Sequence, residues 1–504
     1  MAARRRVVSL VFLSLILTSC SSSPTTWDLA QGAIAAMGGA AGIEGIETVV
    51  MSGGVGTRQR LGQSLELGGP EQDGTLSMVE TTIDFARQRA AYEYDVALAS
   101  GFMQHRLEVL TEHEGQAVGY SINNNGQMAS TPGGLFGWGP QNSPAMILRR
   151  DPVAILLDAA RPGAGGDPVE EVDLNGNLRL HGTTTTSWGE ETGLYFDPET
   201  HLLVAFDVLD TEPMLGDVQA QYSIGDYQQS GGVLLPHRMT ILKGGTPFSD
   251  VRYESIAVNS PDADAVFGIP DPLVDQAGRA ASSENYVPLT WSPVADGVFH
   301  VVAYSHHSMV VEFPTFVAVV EAPYTETQSL ALRDLVAEQI PGKPIRYAAV
   351  THPHWDHIGG IRGIAGAGAT ILVASGHENQ IREVLNAPHT NPPDALEQAR
   401  DSGTAGSIEI YDRMWSASEG DRSLALYEVS GSPHAERVVL AYVPDSGVLF
   451  QSDLFFPGTG GAGSPATEHL QEAIRELGLG VRTMVGGHGG VGPFSELVAA
   501  NAGN

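Results

Sequence analysis

The sequence predicts an α+β fold of two domains, a β-rich curved sheet or half-barrel followed by a domain in which strands and helices alternate. The length of 504 residues exceeds one typical hydrophobic core, since domains average about 150 residues. Residues 48–269 are mainly short apolar or alternating runs between Gly, Asn, Asp and Pro clusters, which is typical of antiparallel strands. After residue 286, runs of strand length alternate with runs of helical periodicity, which predicts α/β layers.

Residues 1–19 are predicted to be a signal peptide and to lie outside the fold. Three arginines at positions 4–6 precede an apolar run over residues 7–17. This run has the length of a signal sequence and is shorter than the about 20 residues that a membrane-spanning helix needs.

The signal ends in Leu17-Thr18-Ser19-Cys20, which resembles the lipobox of bacterial lipoproteins. The resemblance implies that Cys20 is acylated as the first residue of the mature chain, with residues 20–24 as its tether. Because Ser21 and not Asp follows, it also implies the outer membrane of a Gram-negative cell, on the periplasmic side. An ordinary secretory signal with a chance cysteine is the alternative. Cys20 is the only cysteine, so the mature chain has no internal disulfide and no other thiolate for metal or nucleophilic chemistry.

The net charge limits the classes of ligand that the protein is expected to bind. With 27 Lys and Arg against 59 Asp and Glu, the formal net charge of −32 repels a polyanion, so nucleic acid is excluded as a ligand. The expected partners are a small-molecule substrate and, through the lipid anchor, a membrane. The sequence does not determine the oligomeric state.

The β-rich domain is assigned to residues 25–272 and begins with helical periodicity that stops at Gly38-Gly39. A short second helix is expected at residues 42–46 and an internal helix at residues 152–160. The runs at residues 224–227, 233–237, 251–259 and 263–269 resemble the closing strands of the outer-membrane lipoprotein-carrier superfamily. The resemblance implies an apolar concave face able to hold an acyl chain. A packed structural sheet without a ligand fits the pattern equally well.

Residues 273–285 are small and polar without apolar periodicity, so we place the linker there and the second domain at residues 286–504. Strands of this domain are predicted at residues 298–303, 309–313, 316–320 and 346–351, and helices at residues 327–340 and 359–365.

The densest cluster of metal-binding residue types follows the last of these strands, in the run His352-Pro-His354-Trp-Asp356-His357. Imidazole nitrogen and carboxylate oxygen are donors that suit Zn²⁺. Alternate positions of an extended segment share a face, so His352 and His354 can reach one metal ion while Asp356 and His357 turn toward a second.

Followed by Gly359-Gly360, this run resembles the signature of the metallo-β-lactamase superfamily. The resemblance implies an αββα four-layer sandwich and three further ligands downstream, and the sequence provides His434, Asp453 and His488 in the expected order. The implied first metal site is His352, His354 and His434, the implied second site is Asp356, His357 and His488, and Asp453 bridges the two.

The implied cofactor is two Zn²⁺ ions, with Fe or Mn not excluded. Two dications about 3.5–4 Å apart lower the pKa of a shared water toward neutrality, which predicts a metal-bound hydroxide attacking an ester, thioester, lactone or phosphoester-like bond. Asp356 can also accept a hydrogen bond from that water, a catalytic role beside ligation.

A β-lactam substrate is disfavoured. The thiolate ligand of one β-lactamase group is impossible with Cys20 as the only cysteine, and the group without that thiolate lacks a bridging aspartate equivalent to Asp453. Residues 286–500 are more similar to a group of uncharacterised hydrolases, through Ser305-His306-His307-Ser308, Glu321-Ala322-Pro323 and Asn391-Pro392-Pro393-Asp394.

Three alternatives to a zinc hydrolase remain open. One is a single-iron sulfur dioxygenase, whose His run is similar. Another is a lipid- or lipoprotein-binding protein of the cell envelope with a structural metal domain. The last is a site that keeps its ligands without activity. Relatives that reduce oxygen at two irons carry Glu where His354 stands, so that chemistry is disfavoured.

His306 and His307 are candidates for the substrate pocket. Neighbouring strand residues face opposite ways, so at most one of them faces the metals, and an exposed loop is the alternative. His377, His389 and His469 are interpreted as surface or helix residues without a role. Substrate specificity is expected from the insert at residues 379–407.

Overall fold

The computed structural model describes residues 24–60, 62–64, 72–98, 103–123, 128–132, 144–282 and 286–502. The signal peptide and Cys20 lie outside the described residues, so both stay predictions. Among the described residues, no helix is at once long enough and apolar enough to cross a membrane.

The N-terminal domain is one large antiparallel sheet, which confirms the predicted β-rich architecture. Its strands in the described ranges are β1 (Thr48–Arg60), β2 (Gln72–Asp84), β3 (Arg89–Leu98), β4 (Met103–His113), β5 (Gln116–Asn123), β6 (Met128–Pro132), β7 (Glu170–Leu174), β8 (Asn177–Thr185), β9 (Glu191–Phe196), β10 (Leu203–Glu212), β11 (Gly216–Ser230), β12 (Val233–Lys243), β13 (Thr246–Arg252) and β14 (Ser255–Val258). The spatial order is β6-β5-β4-β3-β2-β1-β13-β12-β11-β10-β9-β8-β7, with β14 also paired to β1. The β1–β13 ladder, with Val55 opposite Arg252, therefore joins two runs of sequential hairpins into one sheet.

Helices pack against this sheet on both faces. They are α1 (Thr26–Ala36), α2 (Ala40–Glu44), α3 (Pro144–Arg149), α4 (Pro152–Ala159) and α5 (Val274–Ser282), with α5 on the face opposite the other four. Thr25 and Asp28 form a capping box at the start of α1, and Asp151 caps α4 ahead of its proline. Ala33, Leu156 and Phe206 belong to the main core that α1 to α4 and the sheet enclose.

A cavity of about 130 Å³ opens in this domain. Its walls include the apolar side chains of Val49, Ile83, Ile224, Leu235 and Ile241. The cavity is the place where the predicted acyl-chain ligand would lie, and that ligand stays a prediction.

Two local predictions in this domain were wrong. Residues 263–269, predicted as a strand, contain a 3-10 helix at Ala263–Phe267, and Phe267 packs into a cluster with Val109. The predicted linker contains α5, which buries Ala277 and Ala280 beside Val118. An apolar stripe made only of alanines three residues apart lacks the large side chains by which periodicity is recognised.

Glu108 of β4 gives a pH-dependent prediction. Burial raises the pKa of Glu108 to about 7, against the opposing charges of Arg106 and Arg58. A folded-state pKa above the unfolded value stabilises the fold at low pH, and this contribution is lost as the pH rises from about 4.5 to about 7. Glu108→Gln should therefore be more stable than the wild type at pH 8, by about 1–3 kcal/mol because one pKa unit is worth about 1.4 kcal/mol. The two should be equal at pH 4. Chemical denaturation at both pH values measures this, and parallel stability curves would contradict it.

The C-terminal domain has two sheets between layers of helices, which confirms the αββα four-layer sandwich. The first sheet contains, in spatial order, β15 (Thr290–Ala295), β16 (Val298–Ala303), β17 (His306–Glu312), β18 (Val317–Val320), β19 (Ile345–Ala349), β20 (Thr370–Ala374) and β21 (Ile408–Tyr411). The second contains β22 (Met414–Glu419), β23 (Arg422–Ser430), β24 (Arg437–Val443), β25 (Val448–Gln451), β26 (Thr483–Gly486) and β27 (Val491–Pro493).

The helices of this domain are α6 (Glu326–Gln339), α7 (Trp355–Ile358), α8 (Ile361–Gly366), α9 (Glu378–Asn386), α10 (Ala395–Ser402), α11 (Pro465–Glu476) and α12 (Phe494–Ala502). Met309, Leu372 and Phe450 contribute to a core between the sheets. A separate cluster joins the first sheet to α6, α8, α9 and α10, and another joins the second sheet to α11 and α12. The insert at residues 379–407 thus contains α10 and most of α9.

Candidate metal centre

Four segments at the ends of strands converge on one buried point. His352 and His354 follow β19, and Asp356 and His357 lie in α7. The remaining predicted ligands come from the second sheet: His434 lies between β23 and β24, Asp453 follows β25, and His488 lies between β26 and β27. The structure therefore brings the seven predicted residues close to one another. The ligand atoms that cluster are those of His352, His354, His434 and Asp453 and, separately, those of His306, His357 and His488.

The first group of donor atoms is formed by three histidines and Asp453. His354 Nδ1 lies 3.1 Å from His352 Nε2 and 3.0 Å from His434 Nε2, and the last two atoms are 3.3 Å apart. Asp453 Oδ2 lies 2.8 Å from His434 Nε2 and 3.5 Å from His352 Nε2. Tetrahedral Zn²⁺ with bonds of about 2.0–2.1 Å places neighbouring donor atoms about 3.3 Å apart, so these separations fit a zinc site.

The second group lies on the other side of Asp453. Asp453 Oδ1 is 2.7 Å from His488 Nε2, and Asp453 Oδ2 is 3.0 Å from His357 Nε2. Asp356 Oδ1 is 3.9 Å from His357 Nε2. Because the Asp453 carboxylate contacts donor atoms of both groups, it occupies the position of a bridging ligand.

Two buried polar atoms in the second group support a bound cation. Within the described part of the chain, His357 Nε2 and Asp453 Oδ1 make no hydrogen bond of normal geometry, although Asp453 Oδ2 and His488 Nε2 lie 3.0 and 2.7 Å from them. Buried polar atoms without a hydrogen bond are rare in proteins, and a bound cation would satisfy a nitrogen and an oxygen placed in this way. The donor set and these orphaned atoms therefore fit a metal-binding function.

A buried hydrogen-bond network orients the ligand rings. His357 Nδ1 donates to Glu321 Oε2 over 3.1 Å, and His352 Nδ1 donates over 3.1 Å to Thr351 Oγ1. Thr351 in turn donates to Glu321 Oε1. His488 Nδ1 donates to the Ser305 carbonyl over 2.6 Å. A ligand histidine whose second ring nitrogen donates in this way presents its other nitrogen as a lone pair, which is the tautomer that metal ligation requires.

The electrostatics favour the same protonation states. Burial lowers the pKa of His352 well below its usual value, and burial and the neighbouring His434 lower that of His354 to about 4. Burial raises the pKa of Asp453, but the surrounding imidazoles outweigh burial and hold it well below its usual range. Neutral imidazoles beside ionised carboxylates are the forms that bind metal.

His357 and His488 differ from His352 and His354. Burial lowers the pKa of His488, but the Asp453 carboxylate outweighs burial and raises it. Burial lowers the pKa of His357, but the carboxylates of Asp453, Glu321 and Asp356 outweigh burial and raise it well above its usual value. Three carboxylates thus favour a positive charge at this point of the centre, as a cation would supply.

His306 and His307 are both buried, and they face different surroundings. His306 Nε2 lies 3.1 Å from Asp356 Oδ2 and its ring centroid is 3.9 Å from that of His488. His307 packs on His300 with centroids 5.0 Å apart. His306 therefore lies at the centre itself.

A chain of hydrogen bonds assigns His306 the role of a donor to Asp356. The hydroxyl of Tyr324 lies 2.6 Å from Ser305 Oγ, which lies 3.1 Å from His306 Nδ1. If Ser305 donates to Nδ1, the proton of His306 is on Nε2 and is donated to Asp356 Oδ2. His306 then fixes one oxygen of Asp356.

Backbone strain is concentrated here. Asp453, Glu321 and Tyr324 have φ values of 64°, 68° and 60°, which side-chain-bearing residues rarely adopt. Such conformations cost about 1–3 kcal/mol each and persist where surrounding packing enforces them, often at functional sites. The glycines of the motif permit this packing, because a Cβ on Gly359 would lie 2.0 Å from the Tyr324 carbonyl oxygen.

Sequence reasoning missed several contributors. Glu321 was recognised only as part of a motif, and its place among the ligand histidines was not foreseen. Gln63 and Ser64, from the other domain, contact the ligands Asp356 and His354. No local pattern marks a contact between residues about 290 positions apart.

His377, His389 and His469, predicted from the sequence to have no functional role, differ in their burial. His377 is buried and its Nε2 donates to the Arg437 carbonyl over 3.2 Å. His389 is also buried, whereas His469 is partly exposed on α11. The surface interpretation is therefore wrong for His377 and His389.

Comparison with known proteins identifies the class of the second domain. Residues 301–488 match the family described as the metallo-beta-lactamase superfamily, so the chain contains a domain of that superfamily. A comparison with curated proteins gives no match.

Solved structures similar to the chain include the metallo-β-lactamase FIM-1 from Pseudomonas aeruginosa in its mono-zinc form, with 16% identity, coverage of 43% of this chain and 95% of that chain, and a TM-score of 0.32. A metallo-β-lactamase from Pontibacter korlensis has 15% identity and a TM-score of 0.32, and the match covers 42% of this chain and 95% of that chain. A metallo-β-lactamase from Hirschia baltica has 15% identity and a TM-score of 0.32, and the match covers 43% of this chain and 97% of that chain.

Proposed function

We propose that the protein is a zinc-dependent hydrolase that cleaves an ester, thioester, lactone or phosphoester-like bond of a small molecule. The observation that carries this proposal is the pair of donor groups joined by Asp453, whose carboxylate lies 3.0 Å from His357 Nε2 and 2.7 Å from His488 Nε2. Superfamily membership of residues 301–488 supports a metal-dependent hydrolase as the class.

The residues of the centre would have different roles in such a reaction. His352, His354 and His434 would hold one ion, Asp356, His357 and His488 the other, and Asp453 both. Two ions bound there would lower the pKa of a shared water and polarise the substrate oxygen. Asp356 is held at Oδ1 by Gln63 and at Oδ2 by His306, so its carboxylate is fixed in place. His352, His354, Asp356 and His357 are buried, which strengthens their electrostatic interactions, whereas His434, Asp453 and His488 are partly exposed.

A panel assay tests this function. The chain would be stripped with a chelator, reloaded separately with Zn²⁺, Fe²⁺ or Mn²⁺, and assayed on esters, thioesters, lactones and phosphodiesters. We expect about two zinc ions per chain and turnover of at least one bond class only in the reloaded protein. Full metal occupancy without turnover, together with tight binding of acyl chains, would favour the lipid-binding alternative.

We propose in addition that the protein is anchored by a lipid on Cys20 in the outer membrane, facing the periplasm, on the strength of the lipobox-like run. Cys20→Ser should move the protein from the membrane fraction to the soluble periplasmic fraction without changing its metal content. Fractionation and metal analysis of both forms measure this. Retention of the variant in the membrane fraction would reject the anchor.

A further inference from the structure

Three consecutive residues of the N-terminal domain contact three consecutive residues of the metal-ligand segment. The carbonyl of Gly62 accepts from the backbone N–H of Trp355 over 3.0 Å, Gln63 Nε2 donates to Asp356 Oδ1, and the Ser64 carbonyl accepts from His354 Nε2 over 2.9 Å. Gly62–Ser64 follow β1, the strand at the middle of the N-terminal sheet.

From these contacts we propose that Gln63 and Ser64 are positioning residues of the metal centre, so that the centre is built by both domains. The proposal rests on the proposed metal-dependent function. It adds that the ligand segment reaches its ligating geometry only when Gly62–Ser64 contact it.

The ring of His354 gives the first argument. Its Nδ1 faces His352 Nε2 and His434 Nε2, so Nδ1 has to be a lone pair for ligation and the ring proton belongs on Nε2. The Ser64 carbonyl accepts that proton. The outer hydrogen-bond partners of His352, His357 and His488 belong to the C-terminal domain and are Thr351, Glu321 and the Ser305 carbonyl, respectively. His354 is thus the ligand whose orientation depends on the N-terminal domain.

The carboxylate of Asp356 gives the second argument. Gln63 is 3% exposed and Asp356 is 7% exposed, so each needs a hydrogen-bond partner to offset the loss of water. Gln63 satisfies Oδ1 and His306 satisfies Oδ2. The N-terminal domain also reaches the His306 side, because Arg106 of β4 hydrogen-bonds to Tyr324, which contacts Ser305. Both oxygens of Asp356 therefore depend, directly or through a relay, on N-terminal residues.

The fit at Gly62 gives the third argument. Gly62 has φ +71°, and a Cβ there would lie 3.0 Å from Trp355 Cβ and 3.4 Å from Met214 Cε. The backbone at this point is therefore pressed against the ligand segment, and a branched side chain would separate the two.

Two variants and two matched controls test the proposal. Gln63→Ala removes the donor to Asp356, and Gly62→Val pushes the segment away from Trp355. Gly245→Val imposes the same backbone strain at φ +81° in a turn with no atom within 4 Å, and therefore controls for strain. Asp217→Ala breaks a separate interdomain contact, where Asp217 accepts from the N–H and hydroxyl of Thr390, both over 2.7 Å. It controls for undocking that does not involve the ligands.

The readouts are the Kd of each metal ion, from competition with a chelating dye, and the visible spectrum of the Co²⁺-substituted protein. Loss of an outer partner of a metal ligand typically weakens metal binding about 10- to 100-fold. We expect a weakening of that order and a changed Co²⁺ spectrum for both test variants, with both controls within twofold of the wild type.

The outcomes separate this proposal from the proposed function. If the wild type binds two ions and both test variants match it in Kd and spectrum, the positioning role is wrong and the metal site stands. Equal losses in Asp217→Ala and Gly62→Val would also reject it, because docking in general would then be the cause. A wild type that binds no metal ion would reject the proposed function itself.

Discussion

Asp453→Asn should remove most bound metal and reduce kcat/KM by at least about a thousandfold, which corresponds to about 4 kcal/mol of transition-state stabilisation. Asp453 contacts His434, His357 and His488, the donors of both groups, so losing its charge affects both ions. Asparagine is the informative replacement, because it has nearly the same shape and tolerates the positive φ of 64° at this position. The measurement is metal content by elemental analysis, together with turnover of whichever substrate the panel reveals.

Asp401→Asn is the matched control, since Asp401 is exposed on α10 of the same domain. It should retain the metal content and activity of the wild type. A thermal melt should show both variants folded. Full metal content in Asp453→Asn would contradict a bridging role for this carboxylate and would require the two donor groups to bind independently.

The metal ligands were predictable because their pattern is local. Four of them lie within the six residues His352–His357, and a strand followed by this run constrains which atoms can meet. His434, Asp453 and His488 were predicted through the superfamily resemblance, which implies three further ligands in this order, and the structure brings them to the same point. The alternation of strand and helix lengths predicted α/β layers, and the αββα order was implied by the resemblance to the metallo-β-lactamase superfamily.

The outer contacts were not predictable, because they depend on how distant segments pack. Gln63 and Asp356 are 293 positions apart, and a glutamine after a strand is ordinarily a surface residue. The helix α5 was missed for a different reason. Its buried face consists of Ala277 and Ala280, which provide close packing without the hydrophobic periodicity that identifies a helix.

Glu321→Gln should weaken the binding of both metal ions about 10- to 100-fold, which is the usual effect of losing an outer hydrogen-bond partner of the ligands. The carboxylate of Glu321 accepts from His357 Nδ1 and from Thr351, whose hydroxyl in turn accepts from His352 Nδ1. Both of these are donors, so an amide can accept one of them with its oxygen but turns an NH₂ group toward the other. The substitution therefore breaks one of the two hydrogen bonds and weakens the other, because a neutral amide oxygen is a poorer acceptor than a carboxylate. One ligand histidine in each group is affected.

Thr351→Val separates the effects on the two metal ions, because it removes only the hydroxyl that links Glu321 to His352. We expect this variant to weaken the ion held by His352 and to leave the ion held by His357 within about threefold of the wild type, since the His357 partner is intact. Glu312→Gln is the control for Glu321→Gln, because its carboxylate pairs with Lys343 at the opposite end of β17 from His306. Stepwise metal titration of the three variants measures both constants. If Glu321→Gln and Thr351→Val weakened the same single ion, Glu321 would serve one metal site and not both.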